Sequence, residues 1–335
     1  MRTALIDLPG PHSEQKRVSL LGLGCASMLG RAGRRESLAA LSAAYDAGIT
    51  FYDTARSYGY GECEELLGDF FKGARRSSVM LCTKFGILPA DPKGWKNRIK
   101  PVVRGVLSFA PMLRSTVRRH AASQLQAGQF SVEVLNSSIE NSLRKLKTDQ
   151  VDILLMHSPP ESVLQREDLL DSMAKLVEAG KVRMIGISTG SDLIGNVFRE
   201  HSPKLSAAQF PLNPLTIGLA TQTPAAAKSL FLIANQVFGG TKGIARCRSL
   251  IDALRLDPGI PASLREKFDL RDRSLLPEIV LNCVLQDTGV CVAVPSMLDP
   301  GHLKANIKAV EQCRFSGLEL QVIRSSLAAM ANQEA

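Results

Sequence analysis

Two rhythms alternate along the chain. Short, nearly continuous apolar runs of strand length are followed by longer stretches whose apolar residues recur every three or four positions. The run VSLLGLGCA (18–26) precedes 34–48, where Leu38, Leu41, Ala44 and Tyr45 share a helical face. ITFYDTA (49–55) precedes a helix-like 63–73, and SSVMLCTKFG (77–86) is the next strand. Helical spacing at 131–148 leads into VDILLMHS (151–158), and 166–180 leads into VRMIGIS (182–188). LSAAQFP (205–211), SLFLIANQVF (229–238), a helical 274–289, VCVAVPS (290–296) and a helical 301–313 complete the pattern.

Counted from Val18, there are eight strand candidates. Their continuous apolar character predicts a parallel sheet covered on both faces. Eight βα repeats predict a closed (β/α)8 TIM barrel in the α/β class rather than an open doubly wound sheet. The doubly wound alternative lacks its glycine fingerprint: Gly22 and Gly24 form a G-x-G with no third glycine at the required place. The expected organisation is one barrel domain over 1–335, with an N-terminal extension (1–17) and a long loop (86–129) inserted after the third strand.

At 335 residues, with 45% hydrophobic and 22% charged positions, the composition excludes a fibrous or wholly disordered chain. No apolar run reaches the roughly 18 residues of a membrane span. The opening MRTALIDLPGPHSEQKR lacks the basic-then-apolar order of a signal peptide. Cysteines 25, 63, 82, 247, 283, 291 and 313 form no C-x-x-C pair, so reduced thiols, a cytoplasmic location and no metal site are expected.

The formal charge of +9 is local. Between Gly86 and Gln129, Lys93, Lys96, Arg98, Lys100, Arg104, Arg114, Arg118 and Arg119 face one acid, Asp91, and the rest of the chain is almost neutral. This insertion also holds the lone tryptophan, Trp95, and the apolar stretch 102–113. It has three readings: a solvated charged loop over a small satellite core, a substrate lid, or a membrane or protein attachment segment. Nucleic-acid binding is not expected, because aromatic content is 5% and aromatics do not interleave with the basic residues.

Chemistry on a barrel of this type sits where strands end at the C-terminal face. Asp53 ends ITFYD, Lys84 ends SVMLCTK, His157 ends VDILLMH, and Tyr58 follows Asp53 in the loop DTARSYGYG. Singly, each has a structural role available: a cap, a snorkelling lysine, a packed imidazole, or an edge tyrosine. Together they suit carbonyl reduction, which needs a hydride donor and a proton donor at the oxygen where negative charge develops. A phenol of pKa about 10 is a weak acid, and a neighbouring ammonium is expected to lower that value. Aspartate would hold the lysine, and a neutral histidine would donate to the same oxygen. Tyr60 competes with Tyr58 for the acid role, whereas Tyr45 and Tyr52 fall in the first helix and second strand.

G-I-T-F-Y-D-T-A-R-S-Y-G-Y-G-E-C-E-E-L-L-G (48–68), the strand ending at Lys84, V-D-I-L-L-M-H-S-P (151–159), G-K-V-R-M-I-G-I-S (180–188) and V-P-S-M-L-D-P-G-H-L-K-A-N (294–306) resemble the aldo-keto reductases. The resemblance runs from about residue 18 to 315. It implies NAD(P)H-dependent interconversion of a carbonyl (aldehyde or ketone) and an alcohol. Tyr58 would be the general acid, Lys84 its pKa depressor, Asp53 the partner of Lys84, and His157 the group orienting the carbonyl.

The resemblance also assigns Ser188 and Gln209 to the nicotinamide carboxamide, and Phe238, Gly239 and Gly240 to the pyrophosphate. The two glycines can equally be a plain turn. Thr189 stands where the family usually has asparagine, and Asn235 where an aromatic residue often stacks on the nicotinamide. Ser296, His302 and Asn306, with Met297, Leu298 and Asp299, fall around the adenosine. The resemblance implies NADPH/NADP+, while His302 as the cation among these positions, beside Asp299, admits NADH/NAD+. The partner is a small-molecule carbonyl or alcohol substrate. Two alternatives stand beside this: an NAD-dependent sugar or alcohol dehydrogenase working oxidatively, and a reductase-like regulatory subunit that binds cofactor with little turnover.

Overall fold

Strands of three to seven residues cannot bury themselves alone, and here they do so by closing into a ring. The computed structural model describes residues 1–8, 14–89, 125–190, 194–195, 204–216, 230–286 and 288–333. An antiparallel hairpin, β1 (Thr3–Leu8) and β2 (Glu14–Ser19), precedes eight parallel strands that pair in chain order. These are β3 (Gly22–Gly24), β4 (Phe51–Asp53), β5 (Met80–Phe85), β6 (Val151–His157), β7 (Val182–Ser188), β8 (Ala207–Pro211), β9 (Phe231–Asn235) and β10 (Val290–Ala293). Leu21 bridges Ala293 in parallel, and Gly24 donates its N–H to the Pro295 carbonyl at 3.0 Å, so the sheet returns on itself. Each of the eight apolar runs contains one of these strands.

The first run, 18–26, is two elements rather than one. Val18 and Ser19 end β2, and the barrel strand is only Gly22–Gly24. Ile6 and Val18 pack with Phe51, Met80, Ile153 and Val292, so the hairpin stops the N-terminal end of the barrel. The described hairpin strands thus contribute Ile6 and Val18 to the core.

Strand periodicity of two sets which residues face the axis. The central cluster takes Phe51 from β4, Met80 and Cys82 from β5, Ile153 and Leu155 from β6, Met184 from β7, Ala207 from β8, and Phe231 and Ile233 from β9. Continuing each row by the same step reaches Asp53, Lys84, His157, Ser188, Gln209 and Asn235. The alternate residues Tyr52, Leu81, Phe85, Leu154 and Ile185 pack outward against helices.

Helices at Arg34–Asp46, Cys63–Phe70, Val132–Leu146, Glu167–Glu178, Leu275–Leu285 and Pro300–Glu311 occupy the helical stretches of the sequence. Ser131 caps its helix by accepting the Val134 N–H at 3.2 Å. Two further helices depart from the periodicity reading. Gly240–Leu256 follows β9, where the periodicity assigned no helix, and Gly317–Gln333 lies beyond the region of resemblance. The latter packs Leu320, Ile323 and Leu327 into the cluster of Leu250, Leu254 and Ile279.

The stems of the insertion meet through an antiparallel bridge, Leu88 with Gln126, while its basic run and Trp95 lie outside the described residues. All seven cysteines are free thiols. Among the described residues, no helix is long and apolar enough to cross a membrane, and no group of His, Cys, Asp and Glu is placed to hold a metal.

At the N-terminal end, Asp152 is buried in β6 and accepts the Arg76 Nη2 and Leu81 backbone N–H groups, each at 2.9 Å. Lys16 of the hairpin and Arg183 of β7 lie 3.7 Å away. A Cβ on Gly186 would collide with the Ala207 carbonyl of the adjacent strand, which explains a glycine inside β7. Replacing Asp152 by alanine removes the acceptor of the Leu81 N–H and the carboxylate facing Arg76, whose guanidinium keeps only the Thr148 hydroxyl and the Val79 and Gln150 carbonyls, and is expected to cost about 3 kcal/mol. Urea denaturation of the Asp152→Ala variant measures it; a loss below about 1 kcal/mol would show that this end does not rely on the cluster.

Candidate active site

Asp53, Lys84 and His157 come together because each is the last inward residue of β4, β5 and β6, which are neighbours in the ring. Lys84 Nζ donates to Asp53 Oδ1 at 2.6 Å and to the Thr54 carbonyl at 2.9 Å, and stands 3.4 Å from Tyr58 Oη. The same nitrogen lies 4.9 Å from the Tyr58 ring centroid, and the His157 ring meets that of Tyr58 edge-on at 6.0 Å.

Tyr58 starts a tight 3-10 turn, Tyr58–Gly61, in which Gly59, Tyr60 and Gly61 all have positive φ. For Tyr60 this left-handed backbone is a strained state. Lys145 Nζ, from the helix Val132–Leu146, holds the far side of the turn by donating to the Gly61 carbonyl. The turn aims Tyr58 inward and leaves Tyr60 38% exposed, so Tyr58 is the phenol that meets Lys84.

Burial governs the protonation states. Lys84 is 1% exposed. Its desolvation favours the neutral amine, but Asp53, with contributions from Tyr58 and Cys82, more than reverses this and holds the ammonium above its usual pKa. The Tyr58 phenol is pushed up to about 12 by burial; Lys84 pulls it down, though by less. The expectation that Lys84 leaves this phenol more acidic than a free one is thus corrected: the desolvation is larger. Burial, reinforced by Lys84, lowers His157 to about 3, so the imidazole is neutral, and its Nδ1 has no hydrogen-bond partner among the described residues.

Ser188 and Gln209 continue the inward row on β7 and β8 and pair in register. Ser188 Oγ donates to Gln209 Oε1 at 2.7 Å, and Gln209 Nε2 donates to Asp53 Oδ1 at 3.0 Å. Thr189 is buried and bonds through its backbone N–H to the Gln209 carbonyl. Asn235 closes β9 with its Oδ1 buried and without a hydrogen-bond partner among the described residues.

Beyond Asn235 and Phe238, Gly239 (φ 62) and Gly240 (φ 68) take a left-handed bend straight into the 17-residue helix Gly240–Leu256. They form a built helix entry, not a free turn. Ser296 and His302 are exposed and Asn306 is buried, after β10 on the same rim. Asp299 caps the helix Pro300–Glu311 by accepting the His302 N–H at 3.0 Å.

Two further residues lie beside the site. The Thr54 carbonyl accepts from Lys84 Nζ, a main-chain role that leaves no side-chain signal in the sequence. Asn213 is buried just past β8, near Gly239, and accepts the Leu215 N–H at 3.0 Å; its signal is a polar residue directly after a strand end.

A sequence model of the Aldo/keto reductase family matches residues 20–237, more than half of the chain. The chain belongs to that family. Aldo-keto reductase YhdN of Bacillus subtilis is 31% identical over 200 residues, 58% of this chain and 50% of that protein. The chain thus spans about half the length of this curated relative in the match.

The structure resembles aldo-keto reductase AKR11C1 from Bacillus halodurans in its holo form, with TM-score 0.66, 20% identity, and coverage of 97% of this chain and 96% of that one. An aldo/keto reductase from Klebsiella pneumoniae in complex with NADP and acetate gives TM-score 0.64 at 23% identity over 96% of both chains. These likenesses establish the barrel over almost the whole chain. The family match ends at Val237, so Phe238, Gly239, Gly240, Ser296, His302 and Asn306 lie outside the matched residues.

A histidine that stays neutral when folded makes a defined contribution to pH dependence. Between pH 6.5 and about 3 the unfolded chain binds the His157 proton and the folded chain does not. Stability therefore falls as pH drops through that window, by at most ~1.4 kcal/mol per pH unit from this group. His157→Gln is expected to flatten the acid limb of stability between pH 6.5 and 4 relative to the parent. Equal slopes in denaturant titrations would show that the imidazole titrates normally.

Proposed function

We propose that this member of the aldo/keto reductase family is an NAD(P)H-dependent oxidoreductase that interconverts a carbonyl and an alcohol at the mouth of its barrel. The observation that carries this is the phenol of Tyr58 lying 3.4 Å from the buried Lys84 ammonium, itself 2.6 Å from Asp53. That arrangement provides a proton at one oxygen and a fixed positive charge beside it.

The residues present suit a dinucleotide. Asn235 has a buried oxygen without a partner among the described residues, a polar atom that expects a donor. Gly239 and Gly240 feed a long helix N-terminus, whose free N–H groups and dipole favour a phosphate. Ser188 and Gln209 would take the carboxamide, and Ser296, His302 and Asn306 the adenosine. Asp299 is engaged as a helix cap, which tempers its repulsion of a 2′-phosphate. The NADP-bound Klebsiella relative favours NADPH/NADP+ over NADH/NAD+.

The bound nicotinamide supplies or accepts the hydride. In reduction, Tyr58 Oη gives its proton to the carbonyl oxygen, Lys84 stabilises the phenolate left behind, and Asp53 keeps Lys84 in place. Neutral His157 donates a hydrogen bond to the same oxygen. A phenol at about 12 remains far more acidic than an alcohol, whose oxygen resembles that of water at about 15.7. Proton transfer to the nascent alkoxide is therefore downhill without a depressed phenol pKa. In oxidation the phenolate takes the proton back.

Tyr58→Phe is expected to lower kcat by ~10²–10⁴ while leaving dinucleotide affinity within about twofold, a change of no more than ~0.4 kcal/mol. Unchanged turnover would remove Tyr58 from the mechanism. Calorimetric titration with NADPH and NADH tests the cofactor: tighter binding of NADPH is expected, and binding of neither would overturn the function.

A further inference from the structure

We propose that Gln209 is a positioning residue that couples the nicotinamide end of the site to the Asp53–Lys84 pair, so that dinucleotide occupancy and the charge of Asp53 reinforce one another. This rests on the function proposed above and deepens it. Gln209 is 1% exposed, and its side-chain amide is engaged at both edges. Ser188 Oγ donates to its oxygen at 2.7 Å and its nitrogen donates to Asp53 Oδ1 at 3.0 Å, the same carboxylate oxygen that receives Lys84 Nζ at 2.6 Å. The Asp53 carboxylate fixes the amide one way round, because a flip would set the Gln209 oxygen against that anion.

With its hydroxyl proton committed to Gln209, Ser188 faces an incoming group only as an acceptor. The second lone pair of Gln209 Oε1 is an acceptor too. The pair is thus set to receive the N–H end of a carboxamide. An N–H bond to an anion makes the amide oxygen a better acceptor, and a donor at that oxygen strengthens the N–H bond in return. Asp53 then favours nicotinamide binding without touching it, and the bound nicotinamide draws charge from Asp53 beside Lys84. Linkage makes the effect reciprocal.

The test is a cycle of Gln209→Met, Asp53→Asn and the double variant, titrated by calorimetry with whichever of NADPH and NADH binds the parent. The matching nicotinamide-free ADP-ribose, or its 2′-phosphate, is the control. Gln209→Met is expected to weaken dinucleotide binding about tenfold, as loss of one hydrogen bond does. Asp53→Asn should weaken it by roughly a third to a half as many decades, through the loss of a charged acceptor. The double variant should be no weaker than Gln209→Met, and the control ligand unaffected throughout. Additive losses, an Asp53→Asn affinity equal to the parent's, or an equal loss for the control would overturn the inference.

Failure of the parent to bind any dinucleotide would instead overturn the proposed function, and this inference with it. Should Asp53→Asn not fold, the cofactor-free Gln209→Glu variant decides. Its added carboxyl must share a proton with Asp53, so its Tm should fall from pH 5 to 8 while that of Gln209→Met does not. Parallel Tm profiles would refute the juxtaposition.

Discussion

A buried ammonium against a buried carboxylate is the constraint around which this protein is organised. Removing both charges from water costs several kcal/mol per ion, and the attraction at 2.6 Å repays it only if the remaining valences are filled. The Thr54 carbonyl takes a second Lys84 proton, and Gln209 supplies a second donor to Asp53. These partners come from three strands, so the pair is satisfied only in a closed barrel. Any splaying of β4, β5 and β8 leaves a charge stranded.

The same low dielectric explains why the neighbouring groups are neutral. Burial and the adjacent ammonium hold His157 neutral down to about pH 3, and burial holds the proton on Tyr58 up to about 12. In the proposed carbonyl chemistry the Tyr58 phenol would be held protonated at ordinary pH, with the ammonium in place for the moment an alkoxide appears. Lys84 offsets part of what burial does to that phenol without returning it to its ordinary value.

The two ends of the barrel divide the work. The N-terminal end is sealed by the hairpin and pinned by Asp152, with Arg76, Lys16 and Arg183 around it. The C-terminal rim carries the polar ends of the inward rows, the Tyr58 turn, the Gly239–Gly240 bend and the stems of the basic insertion. The two buried ion clusters, around Asp152 and around Asp53, are thus kept at opposite ends of the barrel.

The amino-acid sequence by itself determined the fold class and marked Asp53, Lys84 and His157 as polar ends of apolar runs, whereas Ser188, Gln209 and Asn235 were assigned only through the family resemblance. Continuous apolar runs, alternating with helical spacing, have few solutions other than a parallel barrel, and a period of two carries the row from Phe51 to Asp53 and from Met80 to Lys84. It also distinguished Tyr58 by its place in the D-T-A-x-x-Y-G motif. Local patterns failed where a few residues served two elements, as in 18–26, and where helices such as Gly240–Leu256 and Gly317–Gln333 carry weak or mixed periodicity.

Only the tertiary structure decided which groups share an atom and which balance of desolvation and charge prevails. That Gln209 and Lys84 meet on one oxygen of Asp53, or that burial outweighs Lys84 at Tyr58, depends on distances between residues 26 to 156 positions apart. Electrostatic energies vary with separation and local dielectric, and neither exists until the chain has folded.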